Sequence, residues 1–119
     1  MKIKEIIDFT DNQIDSDLLY EMANLSKTTT GIDPVIFCSQ KGGSKHECKV
    51  KVSNILGKLS ATDVFTIELK DSPVIGYCKL TANQLESAKW WIHKNRFAIL
   101  DYWEEIIDTG EFLNRIIKL

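Results

Sequence analysis

The sequence predicts an α+β domain. An antiparallel four-stranded meander, at about residues 35–39, 46–53, 64–70 and 74–80, is covered by a long C-terminal helix at about 82–107. A short N-terminal helix at about 16–26 and a short final helix at about 110–117 complete it. Three observations carry this reading. Apolar residues alternate through the middle of the chain, with His46, Cys48, Val50 and Val52 on one face and Glu47, Lys49 and Lys51 on the other. From residue 82 onward the apolar spacing becomes helical. Two turn signals, Lys41-Gly42-Gly43-Ser44-Lys45 and Asp71-Ser72-Pro73, separate the alternating runs as hairpin connections must.

Taken in order, residues 2–9 carry Ile3 and Ile7 among charges, and fit either a short strand or the start of a helix. The polar stretch 11–17 is turn-like, and Asp15 or Ser16 is placed to cap a helix beginning there. Leu18, Leu19, Met22 and Leu25 then recur at helical spacing. The run Ser26-Lys27-Thr28-Thr29-Thr30-Gly31-Ile32-Asp33-Pro34 stops that helix, because three threonines disfavour it, Gly31 permits a turn and Pro34 forces extension before it. Val35 opens the first strand. A loop with Gly57 separates the second strand from the third, and Gly76 marks a bulge or bend in the fourth. Thr81 with Gln84 has capping-box spacing, so the long helix starts there, and any kink in it falls near Asn95. Asp108-Thr109-Gly110-Glu111 repeats the cap signal before the final helix.

Residues 89–103, KWWIHKNRFAILDYW, hold all three tryptophans. On a helical projection Leu85, Ala88, Ile92, Ile99, Leu100, Trp103, Ile106 and Ile107 make one wide face suited to covering a sheet. Trp91, Ala98 and Tyr102 flank that stripe. Trp90 and Phe97, seven residues apart, point nearly the opposite way, where a helix on a sheet would ordinarily be charged. Either another part of the chain covers them or they form an interaction surface with Trp91 and Tyr102 beside them. Arg96 falls inside the apolar stripe. Its guanidinium must therefore snorkel, pair with a carboxylate or carbonyl, or serve an anion.

Length and composition bound the function. At 119 residues the chain makes one domain with one core. A net charge of −2 argues against a dedicated nucleic-acid binder, which needs a basic field, and is too small for a DNA mimic. The N-terminus MKIKEIIDF has no apolar segment of the kind a signal peptide needs, and no run reaches the length of a membrane span. Cys38, Cys48 and Cys78 are an odd count without a dense framework, which fits a reducing cytoplasm.

Two further groups of residues bear on chemistry. His46, Cys48 and Cys38 share an inward direction on neighbouring strands, with Cys78 or His93 as a further donor. The spacing matches no standard zinc pattern, and cysteines on strands are usually small core residues, so neither a metal nor a cofactor is expected. A Cys–His nucleophilic pair lacks any orienting or oxyanion group, and no catalytic residue is assigned. The loop with Lys41, Gly42, Gly43 and Lys45 has free amides and charge for an anion, and Lys49 and Lys51 extend it with Arg96 as a further cation. It lacks the order of a P-loop and the aromatic interleaving of a nucleic-acid platform.

The segments TGIDPVIFCSQKGGSKHECKVKV and WIHKNRFAILDYWEEIIDTGEFLNRI resemble parts of small bacterial hypothetical proteins. Over residues 30–119 the chain is similar to the domain of unknown function family four-one-six-zero, with its turn like Asp71-Ser72-Pro73 and its Trp…Asn-Arg…Leu…Trp helix. The resemblance implies this fold and a toxin–antitoxin-like locus, with no established reaction. The family's histidine-rich hairpin is reduced here to His46.

These observations favour a small cytoplasmic protein-interaction module or homo-oligomer acting through Trp90 and Phe97. The alternatives are a nucleic-acid-associated component of a toxin–antitoxin-like or mobile-element locus, and a metal- or His-dependent hydrolase.

Overall fold

A computed structural model describes residues 21–43, 47–58, 60 and 62–119. Its centre is a five-stranded antiparallel sheet in the order β1 (Met22–Leu25), β2 (Ile36–Ser39), β3 (Lys49–Ser53), β4 (Val64–Glu68), β5 (Val74–Ile75). Each strand pairs with its neighbour in sequence, so the predicted meander is found with one strand more. A single helical turn, α1 (Lys27–Thr30), joins β1 to β2, and α2 (Ala82–Lys94), α3 (Arg96–Trp103) and α4 (Thr109–Arg115) follow the sheet.

The extra strand corrects the expected N-terminal helix. Residues 22–26 are β1 and its exit; residues 16–20 of that expected helix lie outside the described residues. Met22 and Leu25 fit either period, and four residues are too few to separate them. What decides is pairing: Ala23 opposite Cys38 and Leu25 opposite Ile36 put both apolar side chains into the core. The threonine run forms a helical turn because it bonds locally. Thr30 Oγ1 donates to the Ser26 carbonyl at 3.2 Å and accepts from the Ile32 amide at 3.1 Å. Gly31, at φ 82°, closes the turn and donates to the Lys27 carbonyl at 2.7 Å.

β5 is two residues rather than seven, ended by Gly76 at φ 98°. Beyond it the Asn54 carboxamide replaces a strand partner, donating to the Tyr77 carbonyl at 2.9 Å and accepting from the Lys79 amide at 2.7 Å. β4, expected to reach 70, ends at Glu68, and β3 begins at Lys49 rather than at 46.

The long helix is two. Thr81 and Gln84 form the expected capping box at the start of α2. Asn95 interrupts, its buried carboxamide donating to the Trp91 carbonyl at 3.0 Å. α3 then stops at Trp103, four residues early, in a Schellman turn: the Ile106 amide donates to the Asp101 carbonyl and the Glu105 amide to that of Tyr102. Glu105 takes the left-handed position, φ 64°, that glycine usually fills. With no glycine there, the sequence hides this stop. The turn throws Ile106 into solvent, although the helical projection had put it on the buried stripe. Asp108 caps α4 as expected, accepting from the Glu111 amide at 2.8 Å.

The helices cover one sheet face. Val50, Val52, Phe65 and Ile67 from the sheet and Ala88, Trp91, Ile92, Ile99 and Trp103 from the helices form one buried core. Tyr102 stacks on Phe112 at 4.5 Å between ring centres, fixing α4 to α3. The Tyr102 hydroxyl meets Thr109 Oγ1 at 2.7 Å, and Thr109 donates through both its amide and its hydroxyl to the Glu21 carboxylate. The amide of Lys41 and the carboxamide of Gln40 reach the carbonyls of Trp103 and Ile107, so the end of β2 is tied to the end of the helical layer.

Candidate functional site: the outer face of the C-terminal helices and the cleft beside it

A helix that buries one stripe against a sheet leaves the opposite stripe to solvent, and on α2–α3 that stripe holds aromatic rings. Trp90 is 54% exposed and Phe97 66%. Neither ring hangs loose. His93 stacks on Trp90 at 5.7 Å and 20°, and Lys94 Nζ lies 5.7 Å from the centre of the same ring. The Arg96 guanidinium sits 4.6 Å above Phe97 while its Nη1 donates to the His93 carbonyl at 2.7 Å. Cation–aromatic contacts of this kind hold a ring in place for about 0.5–1 kcal/mol each at exposed sites. The result is an ordered strip of alternating rings and cations.

Trp91 and Tyr102, expected to share this surface, do not. Both are fully buried, so the flank of the helical projection belongs to the core. Trp91 Nε1 is buried without a hydrogen-bond partner among the described residues, so its part in the fold is packing.

Beside the strip lies a cleft of about 350 Å³ between α3 and the ends of β3 and β4. Its strand wall is Glu47, Cys48, Leu69 and Lys70. Its helix wall is Arg96, Phe97, Leu100, Trp103 and Glu104. Leu100 was expected in the buried stripe; it is instead 38% exposed because it faces this space. Arg96 thus resolves as a snorkelling residue that joins strip and cleft. Glu104 is held by Lys41, Nζ to Oε1 at 2.8 Å, which raises the lysine's pKa.

The two strand thiols are buried and held protonated, which works against a thiolate nucleophile. Burial, followed by the Glu104 and Glu47 carboxylates, pushes the Cys48 thiol up to about 12. Burial also drives the Cys38 thiol upward, with Cys48 nearby adding to it. His46 lies outside the described residues, as does Lys45. Among the described residues no group of three or more His, Cys, Asp or Glu side chains is placed to hold a metal.

Among the described residues the anion candidates are not brought together. Lys41 is spent on Glu104. Gly42, at φ 58°, and the exposed Gly43 are at the turn after β2. Lys49 lies opposite Glu68, and Lys51 between Phe37 and Thr66, on the sheet face away from the helices. Arg96 is on the helical layer. These cations therefore face different directions and form no continuous phosphate track.

Sequence reasoning found Trp90, Phe97 and Arg96. It missed the cleft, because Leu69, Lys70 and Glu104 meet only through the sheet's register and the early end of α3. None of them carries a local signal. No helix among the described residues is long and apolar enough to cross a membrane. Set against known proteins, the chain matches no family model, and neither a curated protein nor a solved structure matches it significantly.

Proposed function

We propose that this protein is a cytoplasmic protein-interaction module whose docking surface is the α2–α3 strip centred on Trp90 and Phe97. The observation that carries the proposal is the exposure of both rings on helices whose opposite face packs into the core. Aromatic side chains are enriched at the centres of interfaces, and rings already braced by neighbours lose little freedom on binding. His93, Lys94 and Arg96 around the rings suit carboxylates on the partner better than a second copy packed ring to ring, which would juxtapose like charges. Three free cysteines suit a reducing compartment. The likeness to family four-one-six-zero directs the search for the partner to the product of a neighbouring gene.

The test is a double variant, Trp90→Ala with Phe97→Ala, compared with the wild type by affinity capture from the native host and by light scattering. Loss of a captured partner with an unchanged unfolding midpoint supports the proposal, and loss of a dimer assigns the surface to a second copy. Unchanged partners and an unchanged oligomeric state refute it.

A further inference from the structure

The cleft beside the strip has an occupant class of its own. Leu69, Leu100 and Trp103 give it an apolar floor, and the Cys48 thiol, kept protonated by burial, adds to that floor as a small hydrophobe. Its rim carries two cations, Arg96 and Lys70, and two carboxylates, Glu47 and Glu104. Arg96 is braced by Phe97 beneath it and by His93, whose carbonyl accepts from Nη1 and whose Nε2 lies 3.4 Å from the same nitrogen. Its other N–H groups have no acceptor, and the guanidinium no carboxylate partner, among the described residues. On the same helix wall Glu104 pairs with Lys41 at 2.8 Å, and across the cleft Glu47 forms no ion pair with Arg96 among the described residues. A volume of about 350 Å³ holds roughly a dozen non-hydrogen atoms at about 30 Å³ each, and lies at the lower end of the range typical of small-molecule pockets.

The geometry points to a binding site in this cleft for a small monocarboxylate with an apolar body of roughly six to ten carbons. The body lies on Leu69, Leu100 and Trp103, and the carboxylate takes the open N–H groups of Arg96, a fork that matches it. The site goes beyond the docking strip, since Trp90 lies outside the cleft.

Calorimetric titration of the full chain with octanoate, octylamine and 1-octanol tests it, because the three share a body and differ in head group. Octanoate should bind about tenfold or more tightly than the other two, the margin of one charge-assisted hydrogen bond. Arg96→Gln should bring octanoate down to the level of 1-octanol while leaving 1-octanol binding intact, which also reports that the cleft is still formed. If that variant does not fold, the head-group order in the wild type, with backbone amide shifts at Leu69 and Leu100, decides. Octylamine binding as tightly as octanoate overturns the proposal, as does no binding by any of the three up to its solubility. So does tighter binding at the same amides by the peptide acetyl-Glu-Leu-Phe-Glu-amide, which assigns the cleft to a protein segment. Trp90→Ala should leave octanoate binding unchanged, so loss of the docking function and loss of this site are read separately.

Discussion

The Asn95 carboxamide pairs with both backbone polar groups of Ile117: its Oδ1 accepts from the Ile117 amide at 2.6 Å and its Nδ2 donates to the Ile117 carbonyl at 3.2 Å. A side chain thus does what a neighbouring strand would do, and the residue that breaks the long helix also anchors the segment after α4. Asn95→Ala should destabilise the fold by about 1–3 kcal/mol, since a buried acceptor and donor lose their partner together. Asn95→Asp should cost more at neutral pH, because a carboxylate would face two carbonyl oxygens. Urea unfolding of both variants checks the order.

Gly31 has no substitute. Its φ of 82° disfavours any side chain, and a Cβ there would stand 1.9 Å from the Leu119 carbonyl oxygen. That segment is itself fixed by the Leu119 amide donating to the Thr30 carbonyl at 2.8 Å. Gly31→Ala should cost more than about 2 kcal/mol, the backbone strain and the clash adding, and circular dichroism during thermal unfolding would register it as a lowered midpoint.

Glu105 is the reverse case. It holds the left-handed position of a Schellman turn with an ordinary side chain. Glu105→Gly should stabilise by about 1 kcal/mol by removing that strain. An unchanged or lower chemical midpoint would count against the assigned turn.

The buried thiols set an alkaline limit. In the unfolded chain Cys48 loses its proton near its ordinary 9.0, whereas in the fold it keeps it to about 12. The folded state therefore binds more protons between those values, so stability is full below about 9 and falls as pH rises toward about 12. Cys38 acts in the same direction. Stability measured from about pH 7 to 11 should decline, and more gently in Cys48→Ala. With a thiol reagent at neutral pH, the half-buried Cys78 should react first, and Cys78→Ser should remove the fast phase.

What was legible in the sequence was whatever a period or a cap encodes locally. Alternation from Lys49 to Ser53 and from Val64 to Glu68, the Thr81–Gln84 box, the Asp108 cap and the break at Asn95 all appear where the residues place them. Illegible was whatever another segment decides. β1 is a strand because β2 pairs with it, and Val74–Ile75 is short because Asn54 takes over its continuation. Trp91 and Tyr102 are core because α4 and the sheet close over both flanks of the helical stripe, which a projection of one helix cannot show. Trp90, Phe97 and Arg96 were readable because each violates the pattern of its own helix.

The meander has a bearing on how the molecule is made. Every strand pairs with its sequence neighbour, so each pairing closes a short loop and needs no later segment of the chain. Among the described residues its inner face, from Ala23 and Leu25 to Phe65 and Ile67, packs against helices encoded after residue 81. Until that last third is made, those helices are missing from the sheet, and apolar strand surface left without its helical cover is the kind that associates with other chains.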